Sequence, residues 1–296
     1  MKILKAALLG RSLDHSISPE VHRAIFDIVR AKCNTDYDTL DYSKIECKDE
    51  HDFLSIVEPG SEHGYRGFNV TFPYKFVASN LPGVRSSLVG AIHSANTITS
   101  GSPIRIATTD GDGFRFALQK SCPDLSHDQY VLTILGAGGA ARAVLHAVRS
   151  LGWKRIIIAA RNVLEAHRAV HSYPEVEVLK IDEIERDAQK QFIVQATPVG
   201  QRTDESLLEN FEWRNADIAV DLVYNPLRTR FLDKAANMGA KIVDGLGMLM
   251  EQAALSQYFW MTGNESKHSL LTEAEFHAIH SGLSTLVTPR WDAFAT

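Results

Sequence analysis

Cysteine is scarce in this chain. Only Cys33, Cys47 and Cys122 occur in 296 residues, with no metal-ligand spacing and no even pairing. That pattern excludes a disulfide framework and points to structural thiols in a reducing compartment, the cytoplasm. The 12 histidines are scattered without ligand spacing, so no metal is expected. Positive charge is not in excess either. Lys and Arg total 31 against 36 Asp and Glu, a net charge of −5, which leaves no basic field for nucleic acid. No apolar run approaches the ~20 residues of a membrane span. The apolar stretch in the first ten residues is too short for a signal peptide and reads as a strand. No repeat or low-complexity segment is visible. What remains, 45% hydrophobic and 23% charged, is the composition of an ordinary soluble globular protein long enough for two domains.

Against these absences stands one pronounced feature. The run Val131-Leu132-Thr133-Ile134-Leu135 ends abruptly in Gly136-Ala137-Gly138-Gly139-Ala140-Ala141, and good helix formers follow to Val148. The order is strand, tight turn, helix. Glycines there let a pyrophosphate approach backbone N–H groups at a helix N-terminus, where the helix dipole favours negative charge. Gly136-x-Gly138-x-x-Ala141 fits the dinucleotide fingerprint with Ala in its third position. A glycine-rich turn that merely needs positive φ is the competing reading. A second strand, Arg155-Ile156-Ile157-Ile158-Ala159, completes the βαβ unit that the fingerprint requires.

The end of that second strand carries another informative absence. It reads Ala159-Ala160-Arg161-Asn162, without the carboxylate that binds the ribose 2′-OH of NAD. An arginine can instead pair with a 2′-phosphate and stack on adenine, so NADP is the expected cofactor. A solvated strand-end charge is the alternative for Arg161. Arg168 lies further along, and Glu165 would repel a phosphate if it pointed inward.

The first third alternates strand and helix signals: strands at 5–10, 37–40 and 67–71, and a helix at 19–31 with apolar residues at helical spacing. Beyond the glycine loop, 191–197 and 218–224 read as buried strands, 231–238 as a helix, 239–245 as a turn and strand, and 248–260 as a helix. The expected architecture is α/β with two lobes: an α/β substrate domain, residues 1–114 and 247–296, and a Rossmann-type dinucleotide-binding domain, residues 115–246, with a cleft between them. The tail from residue 265 is expected to pack as a final helix on the first lobe.

Several polar clusters then line up in order. They are Asp14-His15-Ser16-Ile17-Ser18-Pro19, Gly67-Phe68-Asn69-Val70-Thr71-Phe72-Pro73-Tyr74-Lys75, Ala95-Asn96-Thr97, Thr109-Asp110-Gly111-Asp112-Gly113, Asp221-Leu222-Val223-Tyr224-Asn225-Pro226, and Gly247-Met248-Leu249-Met250-Glu251-Gln252. With the glycine loop among them, they resemble the shikimate dehydrogenase family over nearly the whole chain.

The resemblance implies NADP-dependent interconversion of 3-dehydroshikimate and shikimate in aromatic amino-acid biosynthesis. It implies a catalytic pair, Lys75 and Asp110. It places Ser16 and Ser18 on the substrate carboxylate, Thr71, Asn96, Asp110 and Gln252 on the ring hydroxyls, and Tyr224 at the closing of the site. It implies cofactor contacts at Gly136, Ala137, Gly138, Gly139, Ala140, Arg161, Asn162, Val223, Gly245 and Met248. A monomer or homodimer acting on a small molecule is expected.

The residue chemistry agrees on separate grounds. Hydride addition to a ketone builds negative charge on oxygen, so a proton donor must sit beside it. Each residue also has a plainer reading: Ser18 as a helix N-cap, Lys75 as a surface lysine, Asp110 as a turn residue, Gln252 as a solvated helix residue. Three departures stand out. The family's Gly-Ala-Val before Asn-Thr is His93-Ser94-Ala95 here, its second arginine after the second strand is Glu165, and its Asn before Thr-Asp-Gly is Thr108. The competing functions are an NAD-dependent quinate/shikimate dehydrogenase and a non-catalytic NADP(H)-binding regulator on the same fold.

Overall fold

A computed structural model describes residues 1–58 and 64–287. The chain forms two compact units: Met1–Phe116 with Leu249–Leu283, and Ala117–Met248 with the described residues from Ser284. Among the described residues, no helix is long and apolar enough to cross a membrane.

The first unit begins with β1 (Ile3–Gly10), α1 (Ser18–Cys33), β2 (Thr39–Glu46), α2 (Glu50–Val57) and β3 (Gly67–Val70). It continues through α3 (Lys75–Ser79), β4 (Val84–Arg85), α4 (Ser87–Ile92), β5 (Thr97–Thr99) and β6 (Arg105–Ala107), and α5 (Asp110–Ser121) leads out of it. The sheet order is β2-β1-β3-β5-β6-β4. Strand β1 runs parallel to both neighbours, and β5 is antiparallel to β3 and β6. Central β1 is buried from Leu4 onward apart from Lys5, which explains its nearly unbroken apolar run. Edge strand β2 is half-solvated and polar at alternate positions, so only its first residues overlap the strand expected at 37–40.

The second unit is a parallel sheet built from β7 (Tyr130–Leu135), α6 (Gly139–Val148), β8 (Arg155–Ala160), α7 (Val163–Val170), β9 (Val176–Lys180), β10 (Lys190–Gln195), β11 (Ile218–Asp221), α8 (Arg230–Asn237) and β12 (Lys241–Val243). Its order, β12-β11-β10-β7-β8-β9, is the doubly wound order with the strand direction of travel reversing between β7 and β10. The strand expected over 218–224 stops at Asp221. The Asp221 side chain takes the Val223 N–H at 2.9 Å, which ends the ladder and turns the chain into a loop.

Helix α9 (Leu246–Thr262) returns the chain to the first unit, and α10 (Glu273–Leu283) closes it. Lys32 at the end of α1 ties down the last segment, its Nζ donating to the Leu270 carbonyl and, at 3.2 Å, to Glu275. Two glycines let α9 approach closely. A Cβ on Gly67 would lie 2.2 Å from the Trp260 ring, and one on Gly113 would lie 2.8 Å from the Gln252 backbone nitrogen. Of the tail expected to pack on the first lobe, α10 belongs to the first unit, whereas the described residues from Ser284 belong to the second, and residues 288–296 lie outside the described residues.

Candidate active site

In the first sheet, the C-terminal ends of β1, β3 and β6 and the N-terminal end of β5 share one edge. The pairing registers require this, because β5 alone is reversed among them. Four connections leave that edge, and they carry Ser16 and Ser18, Thr71 and Lys75, Asn96, and Asp110. The Val70 N–H donates to the Asn96 carbonyl at 2.8 Å, and the Ala95 N–H donates to the Lys75 carbonyl at 3.0 Å, so the second and third connections are tied together.

Lys75 opens α3 and Asp110 opens α5. The Lys75 Nζ donates to Asp110 Oδ2 at 2.6 Å, with side-chain exposures of 21% and 6%. The other Asp110 oxygen accepts from Asn96 Nδ2 at 2.8 Å. That same amide faces Thr109 Oγ1 at 2.9 Å and Gln252 Oε1 at 3.2 Å. Two amide hydrogens therefore serve three acceptors. The Asn96 oxygen is held in turn by the Thr109 N–H at 2.8 Å and the Thr97 hydroxyl at 3.1 Å. Gln252 is not a solvated helix residue: it is buried, and its Nε2 donates to the Leu249 carbonyl.

Beneath this group lies a polar layer without assigned roles in the sequence reading. The Ser256 hydroxyl accepts from Asn69 Nδ2 at 2.9 Å, donates to the Gln252 carbonyl at 2.9 Å, and sits 2.8 Å from Thr97 Oγ1 and 3.2 Å from Thr109 Oγ1. Tyr42 donates its hydroxyl to Asn69 Oδ1 at 2.9 Å. The His22 ring stacks on Tyr42 with centroids 4.0 Å apart, and burial pushes its pKa down to about 3. The four-residue spacing of Gln252 and Ser256 on one helix face was the available signal.

Ser16 and Ser18 are buried, with their hydroxyls 3.0 Å apart. The helix-cap reading of Ser18 is corrected: Ile17 occupies the cap position, without a side-chain cap bond, and Ser18 is already helical. Its N–H meets Ser16 Oγ at 3.3 Å, so these serines bond each other rather than cap the helix. Thr71 is half-buried where β3 ends, its N–H donating to the Leu9 carbonyl.

The remaining expected residues belong to the second unit. Gly136 ends β7 with φ +113°, and a Cβ there would press on Thr197 Cγ2 at 2.9 Å. Gly138 is the N-cap of the ten-residue α6, and a Cβ on it would meet nothing within 4 Å. Ala137, Gly139 and Ala140 complete the turn and the first helical residues. This open backbone at a helix N-terminus fits a pyrophosphate. Arg161 is exposed just beyond β8, and no carboxylate ends that strand. Asn162 caps α7 by accepting the Glu165 N–H at 3.2 Å, and its amide lies 3.4 Å from Glu165 Oε2. Val223 is buried, and its carbonyl accepts the Gly245 N–H at 3.3 Å. Tyr224 lies in the loop after β11, and Met248 lies in the first turn of α9.

The departures have distinct fates. His93 is an exposed C-cap of α4 in the left-handed region, φ +49°, a conformation that suits glycine. Ser94 and Thr108 bury hydroxyls that have no hydrogen-bond partner among the described residues. All three cysteines are free, and burial pushes Cys33 and Cys47 up to about 11, consistent with unreactive thiols. Among the described residues, no group of His, Cys, Asp or Glu is arranged to hold a metal ion.

Comparison with known proteins bears directly on this arrangement. The family described as "Shikimate dehydrogenase substrate binding domain" matches residues 8–98. A shikimate dehydrogenase (NADP(+)) from Methanopyrus kandleri is 35% identical over 280 residues, covering 90% of this chain and 93% of its own. One of the same description from Caldicellulosiruptor saccharolyticus is 32% identical, covering 91% and 96%. A crystal structure of a shikimate dehydrogenase in complex with NADP+ superposes with a TM-score of 0.75 at 25% identity, covering 95% of each chain.

Proposed function

The chain belongs to the shikimate dehydrogenase family, and on that premise we propose that it reversibly reduces 3-dehydroshikimate to shikimate with NADPH. The observation that carries the reading is the 2.6 Å pair of Lys75 and Asp110, joined through Asn96 to Gln252 at one sheet edge.

When bound, NADP(H) supplies or accepts the hydride. Gly136, Ala137, Gly138, Gly139 and Ala140 would hold its pyrophosphate, Arg161 and Asn162 its adenosine phosphate, and Val223, Gly245 and Met248 its other half. The Lys75 ammonium donates a proton to the substrate oxygen as negative charge develops there, and in the reverse direction the neutral amine takes it back. Asp110 holds the Lys75 nitrogen in place with one oxygen and is itself held by Asn96 with the other. Of the three acceptors sharing the Asn96 amide, Gln252 Oε1 is the most distant, at 3.2 Å, and is the one least served. It is therefore available to a ring hydroxyl of the substrate. Thr71 binds a second hydroxyl, Ser16 and Ser18 bind the carboxylate, and Tyr224 completes substrate binding. A site built from buried hydrogen-bonding groups rejects analogues that lack the matching hydroxyl, because its own groups then go unpaired.

The proposal also places the protein in the cytoplasm, as a monomer or homodimer without a nucleic-acid partner, in keeping with its net charge of −5. Initial rates on shikimate and quinate, each with NADP and NAD, test it. Shikimate with NADP is expected to dominate. Strong quinate turnover with NAD would overturn the substrate and cofactor assignment, and no turnover in any combination would favour a binding regulator.

A further inference from the structure

One buried charge in the second unit has no part in the chemistry above. Asp221 ends β11 and is fully buried. Its Oδ1 accepts the Val223 N–H at 2.9 Å, and its Oδ2 accepts the Thr229 hydroxyl at 2.6 Å. Those donors lie at the two ends of one loop, the loop that carries Tyr224. Thr229 is fully buried too, and it is the N-cap of α8, accepting the Leu232 N–H at 3.4 Å. One carboxylate thus fixes where the loop leaves the sheet and where it enters the next helix.

Among the described residues, no cation acts on it. The neighbouring strand β10 presents Gln195, a neutral amide in register with Asp221. The charged group acting on Asp221 is a second carboxylate, Asp244, from the turn before α9. The cations of α8 and the preceding loop are engaged elsewhere, Arg228 with Asp233, Arg230 with Asp204 and Glu209, and Lys234 with Glu209.

We propose that Asp221 is a positioning residue: its ionised carboxylate staples both ends of the 222–229 loop and so sets the placement of Val223 and Tyr224. The inference rests on the roles given to those two residues above. Protonation removes the negative charge from the acceptor, so the 2.6 Å bond from the Thr229 hydroxyl to Oδ2 is no longer charge-assisted and weakens. Burial, opposed by the Thr229 and Val223 hydrogen bonds and aided by Asp244, pushes this carboxyl up to about 7. The staple therefore loosens near neutrality rather than at acid pH.

Two consequences run in opposite directions. The carboxyl binds its proton more tightly in the folded chain than in the unfolded one. Its contribution to stability accordingly falls as pH rises from about 4 to about 7 and then levels off. Ligand binding through the loop improves over the upper part of that window. KM for shikimate and Kd for NADPH, the latter by fluorescence titration, are to be measured from about pH 5.5 to 8.5 in the wild type, Asp221→Asn, Thr229→Val and Thr229→Ser. The wild type should bind up to about tenfold more weakly below pH 7, the worth of one charge-assisted hydrogen bond. Asp221→Asn and Thr229→Val should show the weak value throughout, while Thr229→Ser retains the wild-type profile. If Asp221→Asn does not fold, the two Thr229 variants decide. Variant profiles parallel to the wild type would overturn the staple. A wild type that binds NADPH without turnover would sink the proposed reaction while leaving the staple testable by Kd, and one that does neither would overturn both.

Discussion

Removing the Lys75 amine gives the sharpest perturbation of the proposed chemistry. In Lys75→Ala the Asp110 carboxylate, 6% exposed, loses its 2.6 Å partner and keeps the Asn96 amide at 2.8 Å. Breaking a fully buried ion pair by deleting one member costs about 3–5 kcal/mol. Lys75 is about a fifth exposed and Asp110 retains a donor, so a stability loss of about 1–3 kcal/mol is expected. The loss in kcat should be larger, on the order of 10²–10⁴-fold, the usual worth of a positioned proton donor. Asp110→Asn keeps an acceptor for Asn96 but turns an amide donor towards the Lys75 ammonium. It should cost a similar factor in kcat. Because the two groups act as a unit, the double variant should be little slower than either single one. Steady-state kinetics with shikimate and NADP, beside urea denaturation of each variant, read both quantities. A Lys75→Ala enzyme within about threefold of wild-type kcat, or strictly additive losses in the double variant, would refute the assignment.

Three further outcomes follow from other parts of the molecule. Ser256→Ala removes a hydroxyl shared by Asn69, Thr97 and Thr109, and should lower stability by about 1–3 kcal/mol in urea melts while raising KM for shikimate. Arg161→Ala should raise KM for NADP about tenfold and leave KM for NAD nearly unchanged, and equal effects on both cofactors would remove Arg161 from phosphate recognition. His22 is held neutral by burial with its pKa lowered to about 3, so the unfolded chain binds a proton that the folded chain refuses. Its contribution is complete above about pH 6.5 and is lost as pH falls towards 3. Replacing it with Phe should flatten that part of the pH dependence of unfolding.

The second unit was largely legible in the sequence because its signals are local. A β-branched run, an abrupt glycine turn and an apolar-faced helix occupy adjacent residues, and the inner parallel strands β7, β8, β10 and β11 are buried on both faces. The exposed ends of elements were less legible. Strand β11 looked longer than it is, since Leu222 and Val223 are apolar, and only the fold of the Asp221 side chain onto the Val223 N–H shows where pairing stops. Strands β4, β5 and β6 have two or three residues each, too few for any periodicity. In the site, clusters in the right order pointed to Lys75 and Asp110. Their support was not readable in advance. The Asn96–Gln252 and Asn69–Ser256 bonds join residues 156 and 187 positions apart, and beyond its four-residue spacing from Gln252 nothing local in Ser256 distinguishes it from a solvated helix serine.

The way α9 completes the first unit sets an order of events on the ribosome. Strands β1 to β6 are made first, yet Gln252, Ser256 and Trp260 arrive only after residues Ala117–Met248 of the second unit have been synthesised. Until then the face beside Gly67 lacks its tryptophan, and Asn69, Thr97 and Thr109 lack their shared serine. At ordinary synthesis rates that interval is roughly ten seconds or more. The nascent chain therefore presents an uncovered sheet face while its neighbour can already fold. Maturation of the Lys75 site is a late, post-translational step rather than the first thing the chain accomplishes.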